Sequence, residues 1–282
     1  MVDDEQSWHV RDATPRRGRT FGGMISVVVV GCGAIGSVVA RSLRAGEVPG
    51  VTLAGVVTRS VQSQFAALSL PQAIEVADLV VEAAGQDALA DIAPKVLGGR
   101  PSLLVVSVGA LRDDAVLKPL AAAAPGRVHL ATGAIGGLDM LRSAARMGPL
   151  DQVRIVTTKL PATLVQPWMT EAEAAALRAA TSVVEVKRGP AREISGAFPA
   201  SANVAAAVAL AVGDWDLEAV VMADPNAVMT SHVITASGTA GEYRFEIRNR
   251  PSPLNPKTSE VVPYAVLKAI ADIVGGAAWS FR

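Results

Sequence analysis

The chain has 282 residues, 26 lysines and arginines against 26 acids, a formal charge of zero, and only 4% aromatic residues. That balance excludes a basic nucleic-acid surface and a base-stacking platform, and it points to a small molecule as the partner. The length accommodates a large core and two moderate domains, and the single Cys32 excludes an internal disulfide, which fits a reducing cytoplasm.

Residues 1–23 are polar, of mixed charge, and lack the apolar stretch of a secretory signal, so a disordered extension carrying an inert His9 is expected. No apolar run free of Gly, Pro or charge is long enough to span a bilayer, and no association with membranes is expected. The positive mean hydropathy reflects the alanine and valine of a buried sheet.

At residues 27–36 the chain reads VVVVGCGAIG and continues as SVVARSLRAG. A β-branched run of this kind suits a parallel strand buried on both faces. Gly31, Gly33 and Gly36 then serve a tight turn, close backbone approach to a pyrophosphate, and close packing of helix on strand, with Ala34 and Ile35 between them. The helix that follows turns its N-terminal N–H groups towards the phosphates. Placed between a strand and a helix, this glycine pattern predicts dinucleotide binding. Cys32 within the turn is expected to be a tolerated small side chain.

Further strands are predicted at 51–57, 77–84, 101–110 and 127–134, with helices at 86–97 and 113–124 between them. The alternation implies a doubly wound parallel sheet of five strands in residues 24–135. Ligands in such sheets sit beyond the carboxyl ends of the strands, so Gly85, residues 107–110 and residues 133–137 should rim the crevice. At the end of the second strand an acid favours NAD, but here the chain reads Thr58, Arg59, Ser60. Arg59 there favours the 2′-phosphate of NADP over NAD; otherwise it is a solvated loop residue. Asp78 and Glu82 flank a different strand and do not substitute for the missing acid.

From residue 136 to 262 a smaller α+β domain is expected. Segments QVRIVTTKLP, TSVVEVKRGPAREI and HVITASGTAGEYRFEIRN alternate polar and apolar residues, which reads as an antiparallel sheet. Helices are predicted at 170–180, 202–212 and 214–221. A last helix at 263–274, within a segment 263–282, is expected to return to the first domain.

His129 lies in an apolar strand and reads as a packed or edge imidazole. His232 opens a strand in the half that should face the nicotinamide, where an imidazole suits either proton transfer or a structural role. Asn255, Lys257, Thr258 and Ser259 precede the last helix as an anion pocket for a substrate carboxylate, unless Thr258 or Ser259 merely caps that helix. Asn203 either donates to the nicotinamide carboxamide or caps the alanine-rich helix. No Cys/His cluster suggests a metal site, and no GxSxG elbow is present.

Taken in order, GCGAIG, VEAAGQDAL, SVGAL, TGAIGGLD, FPASANVAAAVALA, the DP…H segment ending at His232, and NPKTS resemble the L-aspartate dehydrogenase family from about residue 24 to the last helix. The resemblance implies a Rossmann domain followed by a smaller α+β domain, as in homoserine dehydrogenase and dihydrodipicolinate reductase. It implies that His232 is catalytic and that Ala134 and Asn203 touch the dinucleotide. The reaction implied is oxidative deamination of L-aspartate to iminoaspartate, then oxaloacetate and ammonia, or its reverse. A related amino- or keto-acid dehydrogenase or imine reductase is the nearest alternative, and a non-catalytic dinucleotide-sensing module the alternative from another class. By analogy with related architectures, a homodimer paired through the second sheet is expected.

Overall fold

The valine run predicted to be a doubly buried strand is one: Val27, Val28 and Val29 have no accessible surface in β1 (Ile25–Val30). The computed structural model describes residues 23–59, 64–123 and 126–275, so the expectations for the leading segment (apart from Gly23), for Ser60 and for the last seven residues fall outside the described residues.

After β1 come α1 (Gly36–Arg44), β2 (Val51–Val57), α2 (Leu70–Val76), β3 (Leu79–Glu82), α3 (Gln86–Gly98), β4 (Ser102–Val105), a 3₁₀ turn (Val108–Arg112), α4 (Asp114–Ala122) and β5 (Val128–Leu130). The five strands form one parallel sheet in the order β2-β1-β3-β4-β5, so the strand order reverses between β1 and β3. Two strands are shorter than their apolar runs suggest. The segment after β4 tightens into the 3₁₀ turn, and the chain beyond β5 leaves the sheet, both at its carboxyl edge.

The chain continues through α5 (Leu138–Met147), β6 (Leu150–Lys159), α6 (Pro161–Leu164), α7 (Glu171–Arg178), β7 (Val184–Pro190), α8 (Ala191–Ala197), α9 (Asn203–Val212), β8 (Glu218–Ala223), β9 (Thr230–Gly238) and β10 (Gly241–Asn249). It ends with a two-stranded ribbon, β11 (Pro251–Ser252) and β12 (Asn255–Ser259), and the helix α10 (Val262–Val274), which packs against α1. Thr170 and Glu173 close a reciprocal capping box at the start of α7, with Glu173 Oε2 accepting from the Thr170 N–H at 2.7 Å.

Two expectations for this half are corrected. The second sheet, β10-β9-β6-β8-β7, is mixed rather than antiparallel, because the long connection through α7, β7, α8 and α9 brings β8 back parallel to β6. The helix expected at 214–221 is instead the turn leading into β8. Gly213 ends α9 in the left-handed region (φ 78°), and the Asp214 carboxylate accepts from the Asp216 N–H at 2.8 Å. The following apolar residues Ala219–Val221 are fully buried between β6 and β7, where a strand satisfies both backbone edges.

Candidate active site

A cleft opens at the carboxyl ends of the first sheet and is bounded on its other side by α9, the ends of β6 and β9, and β12. Ile35 and residues 131–134 contribute from the first sheet, Asn203 and Val204 from α9, and Lys159, His232, Lys257, Thr258 and Ser259 from the second half.

The glycine turn is built for a close-packed helix and an approaching ligand. Gly31 has φ 95°, and a Cβ there would stand 2.5 Å from the Ala83 carbonyl oxygen. A Cβ at Gly36 would meet the Gly31 carbonyl oxygen at 1.8 Å, so α1 can start this close to β1 only with glycine. At Gly33 nothing lies within 4 Å of such a Cβ, which leaves the backbone open to a phosphate. The clearance at Gly33, at the head of α1, therefore fits the close approach of a dinucleotide pyrophosphate.

Glu82, set aside in the sequence reading, governs the rim beside this turn. Its carboxylate has no accessible surface and accepts from the N–H groups of Ala84 (2.8 Å), Gly85 (3.0 Å) and Ser107 (3.0 Å) and from the Ser107 hydroxyl (2.9 Å). Burial pushes this carboxyl above its ordinary range, opposed by those hydrogen bonds. Gln86, the first residue of α3, reaches across the interface. Its Nε2 donates to the Ser195 and Pro199 carbonyls and to Asn203 Oδ1 (3.2, 3.3 and 3.0 Å).

Asn203 does not cap α9 with its side chain; Oδ1 accepts from Gln86 and from the Gly109 N–H at 3.1 Å, tying the two halves together beside the cleft. Ala134 lines the cleft, its carbonyl fixed by Asn249 Nδ2 at 2.7 Å. Thr58 and Arg59 lie away from the cleft at the end of β2, with Arg59 exposed.

His232 lies inside the cleft wall, 1% exposed. It stands opposite Thr157 in the β6–β9 register, with its Nδ1 3.0 Å from Thr157 Oγ1. Burial, and then the charge of Lys159, pushes the imidazole down to about 3, so it is neutral at physiological pH. Lys159 was missed from sequence, although the alternation of β6 contains the signal: Ile155, Thr157 and Lys159 share the buried face. The lysine is 4% exposed, and its Nζ donates to the Lys257 carbonyl at 2.7 Å.

The anion pocket expected at the start of the last helix takes another form. Residues 255–259 are a strand, α10 begins at Val262 without a side-chain cap, and neither Thr258 nor Ser259 caps it. The strand still delivers Lys257, Thr258 and Ser259 to the cleft, but Asn255 is spent locally, its Oδ1 accepting from the Lys257 N–H at 3.1 Å. His129 is partly buried at the edge of the first sheet, and burial pushes it below its ordinary value. Among the described residues no group of three or more His, Cys, Asp or Glu could hold a metal ion.

Residues 31–130 match the family described as "Homoserine dehydrogenase, NAD binding domain", and residues 139–273 match "Aspartate dehydrogenase, C-terminal". The L-aspartate dehydrogenase of Nitrosopumilus maritimus is 34% identical, over 88% of this chain and 94% of that protein. The chain belongs to the L-aspartate dehydrogenase family. Another member, from Cupriavidus taiwanensis, is 38% identical over 88% of this chain and 97% of its own length. The crystal structure of aspartate dehydrogenase from Thermotoga maritima shares the fold, with a TM-score of 0.66 and 23% identity, covering 92% of this chain and 99% of that one. As a member of the L-aspartate dehydrogenase family the protein is an oxidoreductase with a nicotinamide-dinucleotide domain. That placement agrees with the parallel sheet, the glycine turn and the cleft between the two sheets.

Proposed function

We propose that the protein oxidises L-aspartate to iminoaspartate and then oxaloacetate plus ammonia, and catalyses the reverse reductive amination, with His232 as the proton-transfer group. The observation that carries this reading is the neutral imidazole fixed by Thr157 in the wall of the cleft that the glycine turn opens onto. A dinucleotide held on that turn supplies the hydride acceptor for the substrate Cα.

His232 has one nitrogen engaged by Thr157, which leaves Nε2 for the substrate. As a neutral base it takes a proton from the substrate ammonium, which prepares the nitrogen for loss of hydride at Cα, and passes that proton on to solvent. Neutral again, it takes a proton from the water that attacks the imine carbon and returns it to the departing ammonia. Lys257, Thr258 and Ser259 supply donors for a carboxylate, while Asn255 shapes the strand that presents them.

The cofactor-binding set is Gly31, Gly33, Ala34, Ile35, Gly36, Thr58, Arg59, Ala134 and Asn203. Arg59 and the missing acid favour NADP over NAD. The functional division runs 24–135 for the cofactor, 136–262 for the substrate, and a C-terminal segment against the first part. A cytoplasmic homodimer completes the proposal, by analogy with related architectures. Among the described residues no helix is long and apolar enough to cross a membrane.

Incubation with oxaloacetate, ammonium and NADPH should consume absorbance at 340 nm, and His232→Ala should reduce the rate about 10²- to 10⁴-fold while preserving NADPH affinity. Intact turnover in that variant would remove His232 from the chemistry, and activity confined to another keto acid would refute the substrate.

A further inference from the structure

The residues lining the cleft include two lysines, one histidine and no carboxylate. Lys257 belongs to the anion pocket already described, but Lys159 has no role in it. A lysine buried to 4% exposure normally sits beside an acid, because an uncompensated ammonium is costly to remove from water. Among the described residues the only partner of Nζ is a backbone carbonyl, that of Lys257, and no acid forms an ion pair with it. An ammonium has three donors, so two remain for a ligand.

Geometry puts those donors next to the chemistry. Thr157, opposite His232, lies two residues before Lys159 on the same face of β6, a step of about 7 Å along a strand. Lys159 and His232 line the same cleft, so a carboxylate held by the ammonium shares that cleft with the imidazole.

We infer that Lys159 is the anchor for one carboxylate of a dicarboxylate substrate, with Lys257, Thr258 and Ser259 taking the other. The inference rests on the aspartate dehydrogenase reading of the site and deepens it: two ammonium groups in one acid-free cleft select a dianion over a monocarboxylate. Anchoring also acts on the base. After burial, the Lys159 charge is the second cause that keeps protons off His232, and a bound carboxylate cancels it. The substrate thus strengthens the base that acts on it. Burial, then the charge of Lys257, lowers Lys159 to about 8, so the anchor itself titrates in an accessible range. His232 and Lys257 are the other titratable groups lining the cleft that Lys159 faces.

The test is calorimetric titration of succinate, which has neither amine nor carbonyl to react, into the full chain saturated with NADPH. Lys159→Met should weaken succinate about 30-fold or more and leave NADPH affinity within about twofold. Wild-type affinity for succinate should fall as pH rises through about 8. Lys159→Arg should keep succinate binding and move that fall above about pH 10, because guanidinium stays charged; a merely structural lysine or titration of Lys257 would leave the fall in place.

Wild-type turnover of aspartate together with Lys159→Met binding succinate within about threefold of wild type overturns the anchor and leaves the dehydrogenase reading intact. So does an alkaline fall that the arginine variant does not move. A wild-type protein that neither turns over aspartate nor binds succinate overturns both.

Discussion

Asn203 joins the two halves of the protein through a single oxygen, and its replacement by alanine separates a structural contact from a cofactor contact. Oδ1 accepts from the Gly109 N–H at 3.1 Å and from Gln86 Nε2 at 3.0 Å. In Asn203→Ala the Gln86 amide keeps the Ser195 and Pro199 carbonyls, so its loss is minor. The buried Gly109 N–H loses its acceptor, and an orphaned buried donor costs about 1–3 kcal/mol. A net destabilisation of about 1–3 kcal/mol follows, which lowers a urea midpoint by roughly 1 M at the slopes usual for such proteins.

Asn203→Asp is the companion. Its carboxylate retains an oxygen for both donors, and the added charge sits in the first turn of α9, where the helix dipole favours it. It should keep stability within about 1 kcal/mol of wild type while losing the Nδ2 donor proposed for the nicotinamide carboxamide. Urea titrations followed by circular dichroism, paired with kcat, measure both effects. An unmoved midpoint in Asn203→Ala, or an aspartate variant as unstable as the alanine one, would refute the clasp.

Two further outcomes follow from the site. Arg59→Ala should raise the Kd for NADPH several-fold more than that for NADH in fluorescence titrations, since only NADPH has a 2′-phosphate; equal effects would remove Arg59 from cofactor choice. His232 has a folded value of about 3 against an ordinary 6.5, so its neutral form contributes stability that is complete above pH 6.5 and is lost as pH falls through that window towards 3. His232→Gln cannot titrate and should flatten the fall in urea midpoint between pH 7 and about 4 relative to wild type; parallel slopes would place the imidazole in water rather than in the wall.

Local chemistry was legible in the sequence, and long-range juxtaposition was not. The Val27–Gly36 segment contains its own strand, turn and helix start, and its glycines match the steric demands at Gly31 and Gly36. The residues of β8 were misread because a run of five apolar residues between Glu218 and Asp224 suits a helix or a buried strand, and only pairing with β6 and β7 decides between them. Glu82 looked irrelevant because nothing local indicates that Ser107, 25 residues on, folds over its carboxylate. Lys159 was hidden for the opposite reason. A lysine at a strand end usually reaches solvent, and the inward phase becomes informative only once His232 is known to stand beside it across the sheet.

The β6–β9 pairing that sets Thr157 against His232 also determines where change can be absorbed. The imidazole and its Thr157 hydroxyl share one rung of that ladder, and the buried ammonium follows two residues on along β6, where the strand is held by β8, so their mutual spacing is set by strand pairing and is insulated from loop motion. Among the described residues the β11–β12 ribbon pairs with no third strand, and its strand backbone is tied to β6 only at the Lys257 carbonyl, by the Lys159 side chain. Altered acid preference should therefore arise by exchanging residues on the ribbon, with the proton-handling geometry retained as fixed hardware beneath it.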